Sequence, residues 1–154
     1  MKKAQLKQAI LEYMQVRPEE TVFLRKDFQH LDTYQKVGRA ISELCAEARV
    51  IRIGHGLYCR TRVTKFSDKP IPDIKDFTQM ARRALTRLGY QLTYTTADID
   101  NFERRSTQVP NGRQVGLRGK QTKRRIGYFG TYVNYQITDS LDRKYNVNSN
   151  PIEI

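Results

Sequence analysis

Tyr34, Gln35, Lys36 and Arg39 are the residues of this chain whose types and spacing best suit recognition chemistry. They share one side of a segment in which Val37, Ala40, Ile41, Leu44 and Cys45 recur at the spacing of a buried helical stripe. A glutamine amide matches the edge of adenine, and an arginine fork matches guanine or a phosphate. Arg52 and His55 follow on a glycine hairpin, Val50–Cys59, from which they can reach a minor groove or flanking phosphates. Arg25 and Lys26 open the preceding helix, where backbone amides and cationic side chains suit a phosphate. For each of these groups the competing reading is a solvated face. The conjunction of helix and hairpin favours contact with DNA.

A second cationic cluster comprises Arg104, Arg105, Arg113, Arg118, Lys120, Lys123, Arg124 and Arg125, with Glu103 the one acid nearby. It reads as a further phosphate-binding surface, in which Lys120, Lys123, Arg124 and Arg125 are the candidate contacts, or as a docking face for an acidic protein. Tyr128, Phe129, Tyr132 and Tyr135 interleave with it. Base stacking on these rings is one reading; aromatics in the strand core with arginines outside is the preferred one.

Catalysis has weak support, so the chain reads as a non-enzyme. Asp98, Asp100 and Glu103 cluster, but carboxylates near a helix start commonly complement its dipole. Ser106 and Thr107 have no histidine within sequence reach, and no phosphate-cradling glycine motif occurs. His30 and His55 are the only histidines, and Cys45 and Cys59 the only cysteines, with no metal-ligand spacing among them. No cofactor is expected. Two cysteines do not form a disulfide scaffold, which favours a reducing cytoplasm.

These residues need elements to position them. A helix is predicted over 3–16, with Leu6, Ala9, Ile10, Tyr13 and Met14 on one face and Pro18 beyond its end. Thr21–Leu24 is short and β-rich. Arg25–Leu31 reads as a short helix, and Asp32 with Gln35 resembles the capping box of the helix that follows. Ile51 and Ile53 alternate with Arg52 and lead into a turn where Gly54 and Gly56 both suit positive φ. The order helix, strand, helix, helix, two-stranded wing is that of a winged helix-turn-helix at 1–60.

Residues 61–73, with Pro70 and Pro72, read as an extended linker. A basic α/β domain with an antiparallel sheet is expected over 74–145, followed by a tail at 146–154. Its parts are a helix at 74–88 closed by Gly89, a strand at 90–95, a short helix at 96–102, and strands near 113–117, 124–129 and 132–137. The fold class is therefore α+β.

Composition agrees with a polyanionic partner. The net charge of +12 divides into +4 for residues 1–60 and +8 for 61–154, and such an excess attracts polyanions by its field and by counterion release. At 38% hydrophobic and 29% charged residues the chain can build a core, and no apolar run approaches the roughly 20 residues of a membrane span. A membrane partner is not expected.

The segments Phe23-Leu24-Arg25-Lys26-Asp27-Phe28, Val37-Gly38-Arg39-Ala40-Ile41, Val50 to Tyr58 and Ser106-Thr107-Gln108-Val109-Pro110 resemble the AbiEi-like antitoxins and transcriptional regulators of bacterial type IV toxin–antitoxin systems. The resemblance implies an N-terminal winged domain on operator DNA and a C-terminal region opposing a nucleotidyltransferase-like toxin. The chain departs from that pattern in its length, in the basic segment Gly116–Arg125, and in His55, where arginine is expected. The resulting expectation is a cytoplasmic, sequence-specific regulator of double-stranded DNA, antitoxin-like and autoregulatory. A co-encoded toxin and a second copy on a palindrome are its further expected partners. The alternatives are a protein-interaction module whose main role is to neutralise a toxin, and an RNA-binding protein or small nuclease using the C-terminal cluster.

Overall fold

A computed structural model of the chain describes residues 2–64, 67–74, 76–95, 113–119 and 122–138. The chain divides into two units, Met1–Ile74 and Lys75–Ile154, each with its own mixture of helix and sheet. The architecture is mixed α+β.

In the first unit, helix α1 (Lys3–Gln15) buries Leu6, Ile10 and Met14. Strand β1 (Val22–Leu24) leads into a 3-10 helix over Arg25–Phe28, shorter than the helix expected to Leu31. The Asp27 carboxylate accepts the Leu24 amide at 2.9 Å and closes this tight turn. Helix α2 (Tyr34–Ala46) buries Val37, Ala40, Ile41 and Leu44, as the periodicity predicts. Its cap is Thr33, whose hydroxyl accepts the Lys36 amide at 3.3 Å, so the expected Asp32–Gln35 capping box does not form. Asp32 accepts the Thr33 amide at 2.7 Å instead. That bond, followed by the charge of Lys36, holds the Asp32 carboxyl below its ordinary range.

Strands β2 (Val50–Gly54), β3 (Leu57–Thr64) and β4 (Ser67–Pro72) complete a sheet in which β1 and β2 flank β3 and β4 pairs with its far end. The expected linker at 61–73 is thus part of the sheet, and the boundary between units falls after Ile74. Extended residues rich in proline suit an edge strand as well as a linker, because an edge needs only half its amides paired. Strand β3 is central, with Cys59 opposite Val22 on one side and Ile51 on the other. Arg60 reaches from it to the end of α1, donating to the carbonyls of Met14, Arg17, Pro18 and Glu20. These include carbonyls that a helix terminus leaves without intrahelical donors.

In the second unit, helix α3 (Phe77–Arg87) starts later than residue 74 because Asp76 caps it, accepting the amides of Thr78 at 2.8 Å and Gln79 at 3.4 Å. Gly89, at φ +91°, lets the chain leave the helix as expected. Helix α3 packs on strands β5 (Leu92–Thr93) and β6 (Gln114–Arg118), with Met80, Ala81, Ala84, Leu85, Val115 and Leu117 buried.

Strands β7 (Gly127–Tyr128) and β8 (Thr131–Tyr132) form a separate hairpin, and β9 (Asn134–Thr138) pairs with β6. The β6–β9 pairing is parallel, so the sheet is mixed where an antiparallel one was expected. A parallel pair needs a long return connection, and the segment carrying the β7–β8 hairpin supplies it. The helix expected at 96–102, the segment Ser106–Pro110 and the tail at 146–154 lie outside the described residues. No helix among the described residues is long and apolar enough to cross a membrane.

Candidate nucleic-acid interface

Helix α2 sets the geometry of the first candidate surface. Its apolar side is closed into the core, which leaves Tyr34, Gln35, Lys36 and Arg39 exposed on the N-terminal half. Because Thr33 serves as the cap, the Gln35 amide is not drawn into that role. The Arg39 side chain, that of Lys36, whose charge also acts on the Asp32 carboxyl, and that of Lys26 on the preceding 3-10 helix are all exposed. Their charges are therefore directed to solvent.

Arg25 behaves differently from its neighbour Lys26. Its guanidinium lies 3.4 Å from the centroid of the Tyr34 ring and donates to the Tyr34 carbonyl at 2.6 Å. Gly38 makes this crossing possible, since a methyl group there would run into the guanidinium. Arg25 thus ties the 3-10 helix to the first turn of α2. Sequence placed Arg25 near this helix start, but no spacing rule gives a stacking partner nine positions away.

The β2–β3 hairpin adjoins the same corner. The Arg25 amide donates to Gly56 O at 3.2 Å, continuing the β1–β3 ladder into the turn. Arg52 folds back along the tip: its Nε donates to Gly54 O at 3.2 Å, and Nη2 lies 3.3 Å from His55 Nδ1. A guanidinium only donates, so this contact requires the Nδ1 lone pair of His55. Both side chains remain exposed. Only Gly56, at φ +70°, uses positive φ here; Gly54 stays in the strand, and Ile53 is the extra residue of a bulge between Arg52 and Gly54. Behind the corner, burial raises the hydroxyl pKa of Tyr58, opposed by the charge of Arg52. Tyr58 itself is half-buried.

Of the twelve candidate contacts, Arg25, Lys26, Tyr34, Gln35, Lys36, Arg39, Arg52 and His55 belong to this first unit. The other candidates belong to the second unit. Lys123 and Arg125 are exposed there, Arg124 is half-buried, and Lys120 lies outside the described residues, as do Arg104 and Arg105. The backbone that carries them is anchored. Thr122 Oγ1 accepts the Arg124 amide at 3.1 Å and the Tyr90 hydroxyl at 3.0 Å, while the Tyr135 hydroxyl donates to Arg124 O at 2.9 Å. Burial pushes the Tyr135 hydroxyl up to about 12.

Two of the aromatics expected in the core are instead exposed, Phe129 at 58% and Tyr132 at 36%. Among the described residues, no group of three or more His, Cys, Asp or Glu side chains is placed to hold a metal ion. Both cysteines are free thiols, and burial raises each pKa, that of Cys59 to about 12. A thiol held so firmly protonated is a poor nucleophile at neutral pH. The chain matches no family model, no curated protein and no solved structure.

Proposed function

We propose that this chain is a sequence-specific regulator of double-stranded DNA whose first unit docks as a winged helix-turn-helix. In this reading α2 enters the major groove and the β2–β3 hairpin is the wing. One observation carries the proposal: the polar side of α2, with Tyr34, Gln35, Lys36 and Arg39 exposed, stands beside a cationic hairpin tip bearing Arg52 and His55. The first turn of such a helix is the part that meets base edges. Gln35 and Arg39 then read bases, Lys26, Lys36, Arg52 and His55 contact phosphates, and Arg25 positions the helix. Autoregulation by an antitoxin is the biological form that the family resemblance suggests.

Selection of bound duplexes from a random pool, followed by titration of the selected site, tests this reading. Joint replacement of Tyr34, Lys36 and Arg39 by alanine is expected to reduce affinity for the selected site to that for random duplex. Arg39→Ala alone should cost about 1–3 kcal/mol and relax preference at one position. Unchanged binding by the triple variant would remove α2 from the interface. If the variant loses DNA but still captures a co-encoded protein, the two roles reside on separate surfaces.

A further inference from the structure

The β7–β8 hairpin carries a feature that duplex binding by the first unit does not use. Its two-residue turn is Phe129-Gly130, with φ +53° at Phe129 and +79° at Gly130. An aromatic residue at positive φ is a genuine outlier, since Cβ crowds the backbone there, and asparagine or glycine is the usual occupant. Backbone strain of this kind persists only where the surrounding structure holds it, and it clusters at functional sites. Here it places a ring that is 58% exposed at the tip of an ordered turn.

The surroundings extend the surface. Alternation along the hairpin sends Ile126 and Val133 into the core, both buried, while Arg125 and Tyr132 share the outer side. The Arg125 guanidinium lies 4.2 Å from the Tyr132 ring centroid, and the Tyr128 ring meets Phe129 edge-on at 5.2 Å and Phe77 at 5.4 Å. This packing, together with the bonds that hold Arg124, fixes the hairpin base.

We propose that the β7–β8 hairpin is a stacking platform for unpaired bases of a single-stranded nucleic acid, with Phe129 and Tyr132 as the stacking rings and Lys123 and Arg125 as backbone contacts. Charge selects this occupant over an acid-tolerant apolar partner. Between Glu103 and Asp139 the sequence has eight Lys or Arg residues and no Asp or Glu. Exposed rings beside the exposed cations Lys123 and Arg125 are the two components of single-strand binding, in which every base offers a face and the backbone supplies charge. The duplex keeps its bases stacked internally, so the platform distinguishes single strands from duplexes.

The test uses the full chain with a fluorescein-labelled deoxythymidine 20-mer and an abasic strand of equal length and charge. Phe129→Asn is the informative variant, because asparagine accepts positive φ and removes the ring without burdening the turn. The wild-type protein should prefer the base-bearing strand, and Phe129→Asn and Tyr132→Ala should each weaken binding to it at least fivefold with little effect on the abasic strand. Lys123→Ala with Arg125→Ala should weaken binding to both strands and lower the salt dependence. Equal affinity of the wild type for the two strands would overturn the proposal, leaving a cationic surface only. It is equally overturned if Phe129→Asn binds the thymidine strand normally, even where that variant loses capture of a protein partner.

Discussion

Two hairpins of this protein end in the same kind of dipeptide, a ring-bearing residue followed by glycine, yet their turns differ. In His55-Gly56 only the glycine has positive φ; in Phe129-Gly130 both residues do. The flanking ladders explain the difference. The β2–β3 ladder slips between Arg52 and Gly54, and that bulge supplies local twist. The β7–β8 ladder is regular, with Gly127 opposite Tyr132 and Tyr128 opposite Thr131, so the turn itself must match the strand twist. The cost therefore falls on Phe129 and spares His55. Embedding differs as well, because β3 is bordered by β1 and β2 whereas, among the described residues, β7 and β8 pair only with each other.

The embedding of the first hairpin is most open to disruption at Arg60. Arg60→Ala removes the donor to four carbonyls, one in the last turn of α1 and three in the segment that follows it, and charged hydrogen bonds contribute about 1.5–3 kcal/mol each where desolvated. Since part of this cluster is solvent-exposed, a loss of about 3 kcal/mol in urea unfolding is expected for the first unit. A change below about 1 kcal/mol would mean that water replaces the guanidinium freely.

Alkaline titration probes both units. Cys59 on β3 is raised by burial from its ordinary 9.0 to about 12, and Tyr135 on β9 from 10.0 to about 12. A raised pKa means that the folded state holds its proton where the unfolded state has lost it. The contribution is fully present below about pH 9 for Cys59 and about pH 10 for Tyr135, and is lost as pH rises to about 12. Stability should fall across that window, and Cys59→Ala should flatten the fall for the first unit. An unchanged slope in that variant would assign alkaline sensitivity to the tyrosines.

The difference between the two turns carries a smaller, opposite effect. Phe129→Asn should raise stability by about 1 kcal/mol, whereas His55→Asn should change it by less than about 0.5 kcal/mol. Equal responses would erase the distinction between the turns. A related relief is available at Ala48, which leaves α2 at φ +60° in the position where helices favour glycine. Ala48→Gly should stabilise the first unit by about 1 kcal/mol, measured as a shift in urea midpoint.

The smallest expected change is in binding. Alanine at both Arg52 and His55 should reduce the slope of log affinity against log salt by about one to two units on any duplex. A full slope would mean that the hairpin tip faces away from DNA.

Sequence alone determined the stripes of α1 and α2, the central segments of most strands and the exposure of Tyr34, Lys36 and Arg39. These follow from local periodicity, because a helix or strand with one buried side fixes which positions face out. Sequence did not determine that the proline-rich residues 67–72 form an edge strand, or that β9 returns parallel to β6, since pairing partners lie far apart along the chain. Nor did it show that Arg25 is committed to Tyr34, that Arg60 gathers the end of α1, or that Phe129 stands exposed. The residue types were legible, but their roles depended on which groups the fold brought within a few ångströms. For Phe129 that decision came from the twist of a regular two-stranded ladder, a property that a turn dipeptide does not contain.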